Sequence, residues 1–129
     1  MKKLTLIFTL LVSTVMFSSP SYAEWAKVTE GVKSGNTFYV DFERIRKHDG
    51  YVYFWSLTDR LKPYLGTLSV KIYNQGDCKL FRFKKLSYVF HNQPMGRGTG
   101  DSSSPKNPEW IYPSPNSVDE GILKSVCSR

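Results

Sequence analysis

Apolar residues recur with period two along most of the chain, and that alternation predicts strands. Residues 51–58 put Tyr51, Tyr53, Trp55 and Leu57 on one face and Val52 and Phe54 on the other. A strand apolar on both sides belongs at the centre of a sheet, with something covering each face. Residues 67–73 alternate cleanly, with Leu68, Val70 and Ile72 inward and Ser69 and Lys71 outward. Residues 36–42 carry Thr, Phe, Tyr and Val and suit a pleated strand, and residues 25–29 a shorter one. Residues 44–50 are charged and close on His48-Asp49-Gly50, where Asp-Gly signals a tight hairpin. Residues 59–66, with Pro63 and Gly66, read as a loop, and residues 74–77 as a turn delivering Cys78 to the next strand. Over residues 79–90, Phe81 and Phe83 face the core while Arg82 and Lys84 face water. Leu86, Tyr88 and Phe90 break that register, and a bulge or turn near residues 85–87 repairs it.

The two ends differ from this pattern. Lys2 and Lys3 precede an apolar run of 14 residues, and Ser21 and Ala23 supply the small positions of a cleavage site before Glu24. Charge, apolar run and small-residue site in that order predict a signal peptide over residues 1–23. The run is short of the roughly 20 residues of a spanning helix, although an uncleaved anchor is the alternative. A mature chain of 106 residues fits one domain, residues 24–129. Residues 92–109 are rich in Gly, Ser, Pro and Asn, a loop long enough to suggest a functional or mobile segment. Ser117 and Glu120 then form a capping box ahead of Val118, Ile122, Leu123, Val126 and Cys127 at helical spacing. A helix over residues 118–127 is marginal alone and needs docking on the sheet. The expected class is α+β, mainly β: an antiparallel sheet of five to six strands with a C-terminal helix.

Charge and cysteine content refine the picture. Without Lys2 and Lys3 the chain holds 16 basic residues against 11 acidic, a net charge of +5 that favours anionic partners. Cys78 and Cys127 are the only cysteines, and in an oxidising compartment such a pair forms one disulfide, here linking helix to sheet. A metal site or a reactive thiol is the alternative, but only His48 and His91 could assist and neither has ligand spacing. No metal or other cofactor is expected. No nucleophile elbow or zinc-protease helix is present. His48 reads as an exposed turn residue, and His91 ends a strand with no nucleophile marked beside it. Asp41 and Glu43 read as solvated carboxylates of one strand face, and Gly96-Arg97-Gly98-Thr99-Gly100 as a flexible loop. Lys79-Leu80-Phe81-Arg82-Phe83-Lys84-Lys85 interleaves cations with aromatics. Inside a cell that pattern would suggest single-stranded nucleic acid, which export removes from consideration. It reads either as a strand with a soluble cationic face or as a docking patch of Lys79, Arg82, Lys84 and Lys85, joined by Arg97.

Trp25-Ala-Lys-Val28, Tyr39-Val-Asp41 with Ile45, Val52-Tyr-Phe-Trp55-Ser-Leu57, Ser69-Val-Lys71, Asp77-Cys78, Trp110 and the terminal Val126-Cys127 follow one another along the chain. In that order they resemble the surface-adhesin protein E family of bacterial envelope proteins. The resemblance implies an antiparallel sheet joined by a disulfide to a C-terminal helix, and a non-catalytic role at the cell surface, with an adhesin of host matrix and serum proteins among the members. It supplies no catalytic residues, only Cys78 and Cys127. The lipidation cysteine of a member anchored in the outer membrane is missing here, so the expected location is the periplasm, or the cell surface or medium after release. The function expected is an exported, non-enzymatic envelope binding protein whose partner is a protein or an anionic envelope component; homodimerisation stays open. A periplasmic inhibitor of a secreted enzyme and a small hydrolase are the alternatives.

Overall fold

The structure is a computed structural model describing residues 23–129; the leader expected over residues 1–23 lies outside them apart from Ala23. Seven strands form one antiparallel sheet: β1 Ala26–Glu30, β2 Thr37–Val40, β3 Arg46–His48, β4 Tyr51–Tyr64, β5 Thr67–Asp77, β6 Arg82–His91 and β7 Gly100–Ser103. The spatial order is β1-β2-β4-β5-β6-β7, with β3 pairing β4 beyond the end of β2. One helix follows, α1, Val118–Cys127.

The expected sheet with its C-terminal helix is present, but several boundaries move. Residues 59–66 are not a loop. β4 runs on to Tyr64 and turns through Leu65 and Gly66, both at positive φ (49° and 80°), a two-residue hairpin of the kind Asp49-Gly50 also makes. Leu65 is an unfavourable residue at such a position, so only Gly66 marks the tight turn in the sequence. Pro63 is tolerated because pairing with β5 lapses between Asp59 and Tyr64. Residues 74–77 are the end of β5 rather than a turn, and the chain reverses over residues 78–81. Lys79 and Phe81 therefore precede the strand, and Phe81 adopts φ 52° there. Phe83 is a core residue as expected. The bulge also falls where expected: Ser87 and Lys85 pair with adjacent Tyr73 and Asn74, leaving Leu86 over. Within residues 92–109 a short strand, β7, adds to the edge of β6, so that segment is not all loop.

Strand pairing decides which residues share a face. Val52, Phe54 and Ser56 of β4 oppose Gly76, Asn74 and Ile72 of β5, and Val40 opposes Ser56. This face takes α1, which buries Leu123 and Val126 against it. The disulfide Cys78–Cys127 fixes the far end of the helix to the turn after β5. At the near end the Ser117 side chain accepts from the Glu120 amide at 3.1 Å, and Glu120 accepts from the Asn116 amide at 3.1 Å. Asn74 satisfies its buried amide by donating to Ser56 Oγ at 3.0 Å and to the Ile72 carbonyl at 3.1 Å.

Candidate partner-binding face

The face of the sheet away from α1 is only partly covered. β4 contributes Tyr51, Tyr53 and Trp55 to it, and β5 contributes Tyr73, whose ring lies 6.2 Å from that of Tyr53 and 4.9 Å from that of Trp55. All four are half-buried. The doubly apolar β4 is thus central, as its sequence implies, but its second face is an open aromatic layer. The cover comes from two segments. At one end Ile111 exchanges backbone hydrogen bonds with Phe83, which lays residues 110–112 along β6. At the other end the short 3-10 turn Pro94–Gly96 folds over Ser69. Ser69 Oγ donates to the Gln93 carbonyl at 2.6 Å and accepts from the Gly96 amide at 2.8 Å. Ser69, expected in water, is therefore fully buried.

Cations line this layer. Arg82 and Lys84 do not stand free in solvent: both lie over the Trp110 ring, at 4.1 and 4.4 Å from its centre. Arg82 Nε also donates to Asp77 Oδ2 at 2.9 Å and a terminal guanidinium nitrogen donates to Tyr112 Oη at 3.2 Å. The hydrogen bond from Arg82, and a second from the Leu80 amide, hold the Asp77 carboxyl below its ordinary range. Of the other basic residues of that stretch, Lys79 is exposed in the turn. Lys85 alternates to the helix side, where it edges a small cavity of about 60 Å³ with Asp119. Arg97 is separate again. With Trp25, Arg44, Lys71 and Met95 it lines an open cleft of about 790 Å³ at the other end of the aromatic layer. A neighbouring cleft of about 590 Å³ is walled by Glu43, Arg44, Ile45, Arg46, Trp55 and Tyr73. The basic stretch is thus divided, Arg82 and Lys84 forming one end of a cationic-aromatic face, Arg97 the other, with Lys79 and Lys85 off it.

Asp41 departs from its sequence reading. It is fully buried, whereas Glu43 lies exposed in the 3-10 turn Phe42–Arg44 and shares no strand with it. His48 is an exposed turn residue, as expected, 3.1 Å from Asp49. His91 is buried and burial, aided by the Lys71 charge, keeps its pKa below the usual imidazole value. Among the described residues no group of His, Cys, Asp and Glu is arranged to hold a metal. Trp25, Arg44, Arg46, Lys71 and Tyr73 were not singled out from the sequence as partner-binding residues. The signal available for them was the run of aromatics at alternate positions of β4, which marks a face but not the strands beside it.

Solved structures share this architecture. A crystal form of Haemophilus influenzae protein E superposes with a TM-score of 0.60 at 18% identity, covering 86% of this chain and 94% of that one. A second structure of H. influenzae protein E gives 0.58 at 19% identity over 84% and 89%. Protein E from a non-typeable strain gives 0.54 at 16% over 86% and 81%. No curated protein sequence matches the chain. The sequence profile of the surface-adhesin protein E family does match it, over residues 25–128, and the chain belongs to that family.

Proposed function

We propose that the chain is an exported, non-catalytic binding protein of the bacterial cell envelope that holds an anionic partner on its open cationic-aromatic face. Family membership supports a surface, adhesin-like role, and the arrangement on the sheet supports the partner's charge. The observation that carries the reading is the pair of clefts lined by Arg44, Arg46, Lys71 and Arg97 together with Trp25, Trp55 and Tyr73, where Glu43 is the one acidic residue against four basic ones. Flat rings supply contact area at low entropic cost while the cations beside them supply charge selectivity. Export is supported by the leader-like residues 1–23, with cleavage before Glu24. Among the described residues no helix is long and apolar enough to cross a membrane.

Titration of the chain with heparin, as a soluble polyanion, tests the site by NMR. Resonances of Arg46, Lys71, Tyr73 and Arg97 should shift, with affinity falling as salt rises, since exposed charges are screened over about 8 Å near physiological salt. Charge reversal at the exposed pair Arg46→Glu and Arg97→Glu should weaken binding at least tenfold more than reversal at Lys33 and Lys106. Shifts confined to the Lys79 turn or the α1 face, or equal behaviour of both double variants, would refute the assignment.

A further inference from the structure

Asp41 is a buried carboxylate without a donor. It is fully inaccessible, and neither carboxylate oxygen accepts a hydrogen bond. Arg44 Nε stands 3.4 Å from one oxygen but is not aligned to donate, and its own side chain remains half in solvent. An ionised carboxyl only accepts, and one held out of water with its lone pairs unmet is strongly unfavourable. The backbone around it is fixed, since the Asp41 amide donates to the Trp55 carbonyl at 3.2 Å. Arg44 is thus a loose, half-exposed ion-pair partner, and both oxygens still lack a hydrogen-bond donor.

The register of β1 points to a donor. Ala26 pairs with Val40, so continuing the antiparallel ladder outward sets Trp25 beside Asp41, with Glu24 one residue beyond. Ala23, Trp25, Asp41, Arg44, Trp55 and Lys71 line one cleft of about 210 Å³ that opens to solvent. In the uncut chain the Glu24 nitrogen is a neutral amide bonded to Ala23. Hydrolysis of that bond consumes one water and leaves a carboxylate on the departing Ala23 and an ammonium on Glu24.

We propose that Asp41 is the receptor for the α-ammonium created on Glu24 by leader removal, so that the Trp25 wall of the binding cleft is locked only in the processed chain. The inference rests on the export reading and on its cleavage point. A terminal ammonium on a strand already paired to β2 loses little freedom in reaching Asp41, unlike the long side chains of Arg44 and Lys71. The charged groups around the position are Arg44 and Glu43 of the 3-10 turn, Lys71 of β5, Arg129 after α1, and the Glu24 side chain itself.

A two-by-two cycle tests the pairing. Chains beginning at Glu24 with a free amine are compared with the same chains acetylated at that nitrogen, each with Asp41 and with Asp41→Asn. Acetylation should lower the melting temperature by about 4–8 °C when Asp41 is present and by little in Asp41→Asn. The free amine should titrate above its ordinary range of about 7.7–8.0. A raised value means the added stability is present below pH 8 and lost as pH climbs through the folded value. Equal melting of free and acetylated chains, an effect that survives Asp41→Asn, or an amine with ordinary titration would overturn the proposal. Should Asp41→Asn fail to fold, the amine titration in the unsubstituted chain decides. N-terminal sequencing of protein recovered from the envelope checks the cleavage point separately: a cut elsewhere refutes the physiological role, while the cycle still reports on the pairing.

Discussion

The guanidinium of Arg82 is stacked 4.1 Å above the Trp110 ring while its Nε is held by Asp77 at 2.9 Å. One side chain thus joins the last residue of β5 to the segment that closes the edge of β6. Arg82 is a brace rather than a free docking cation, and Lys84 above the same ring is the looser of the two. Arg82→Ala should therefore lower the melting temperature more than Lys84→Ala, with the larger change in Trp110 fluorescence. Trp110→Ala should cost roughly 1–2 kcal/mol, less than a fully buried tryptophan because this ring is half-buried.

Cys78 and Cys127 close a loop across 49 positions. Replacing both with serine should destabilise the chain by about 4 kcal/mol in the chain-entropy account. Denaturant unfolding of oxidised and variant protein measures this. Hydrogen exchange in α1 should rise first, because the helix is marginal when untethered.

Gly76 lets the helix approach the sheet closely. A Cβ there would sit 2.8 Å from Val52 Cγ2 and 3.3 Å from Leu123 Cδ1. Gly76→Ala should cost about 1–3 kcal/mol by overpacking, read as a lowered denaturant midpoint. Gly50→Ala, with open space around it, meets backbone strain alone, at φ 81°.

Asp77 and Glu120 titrate below their ordinary values, Asp77 through its bond from Arg82 and Glu120 through its bond from the Asn116 amide. A depressed folded value gives stability that is present above the unfolded pKa, near 4, and lost as pH falls through the folded value. Unfolding midpoints should thus decline below pH 4, and Asp77→Asn should flatten that decline. His91, also depressed, adds an earlier loss as pH falls below about 6.5, which His91→Gln should remove.

Local chemistry was enough to place much of this protein. The alternation in residues 51–58, the Asp49-Gly50 turn, the capping box at Ser117 and Glu120, and the lone cysteine pair each act through near neighbours or through a partner without rivals. The broken register of residues 79–90 likewise implied a bulge, because side chains on a strand must alternate. What failed locally were features whose cause lies elsewhere in the chain. Leu65 accepts a left-handed backbone because the pairing of β4 with β5 demands a two-residue turn there. Ser69 is buried because the Pro94–Gly96 turn, 25 residues on, lies over it. Arg82 and Lys84 were right as neighbours on one face, but only the return of Trp110 to the β6 edge gave that face a ring to stack on. Asp41 carries no sequence mark of burial, and Trp25, Trp55 and Lys71, brought in from other strands and the leading segment, set its environment. The sequence by itself determined the central strands, the helix and the disulfide; the tertiary structure alone decided how far β4 and β5 run, that β7 joins the edge, and which cations share a cleft, because these depend on the pairing of strands far apart in the chain.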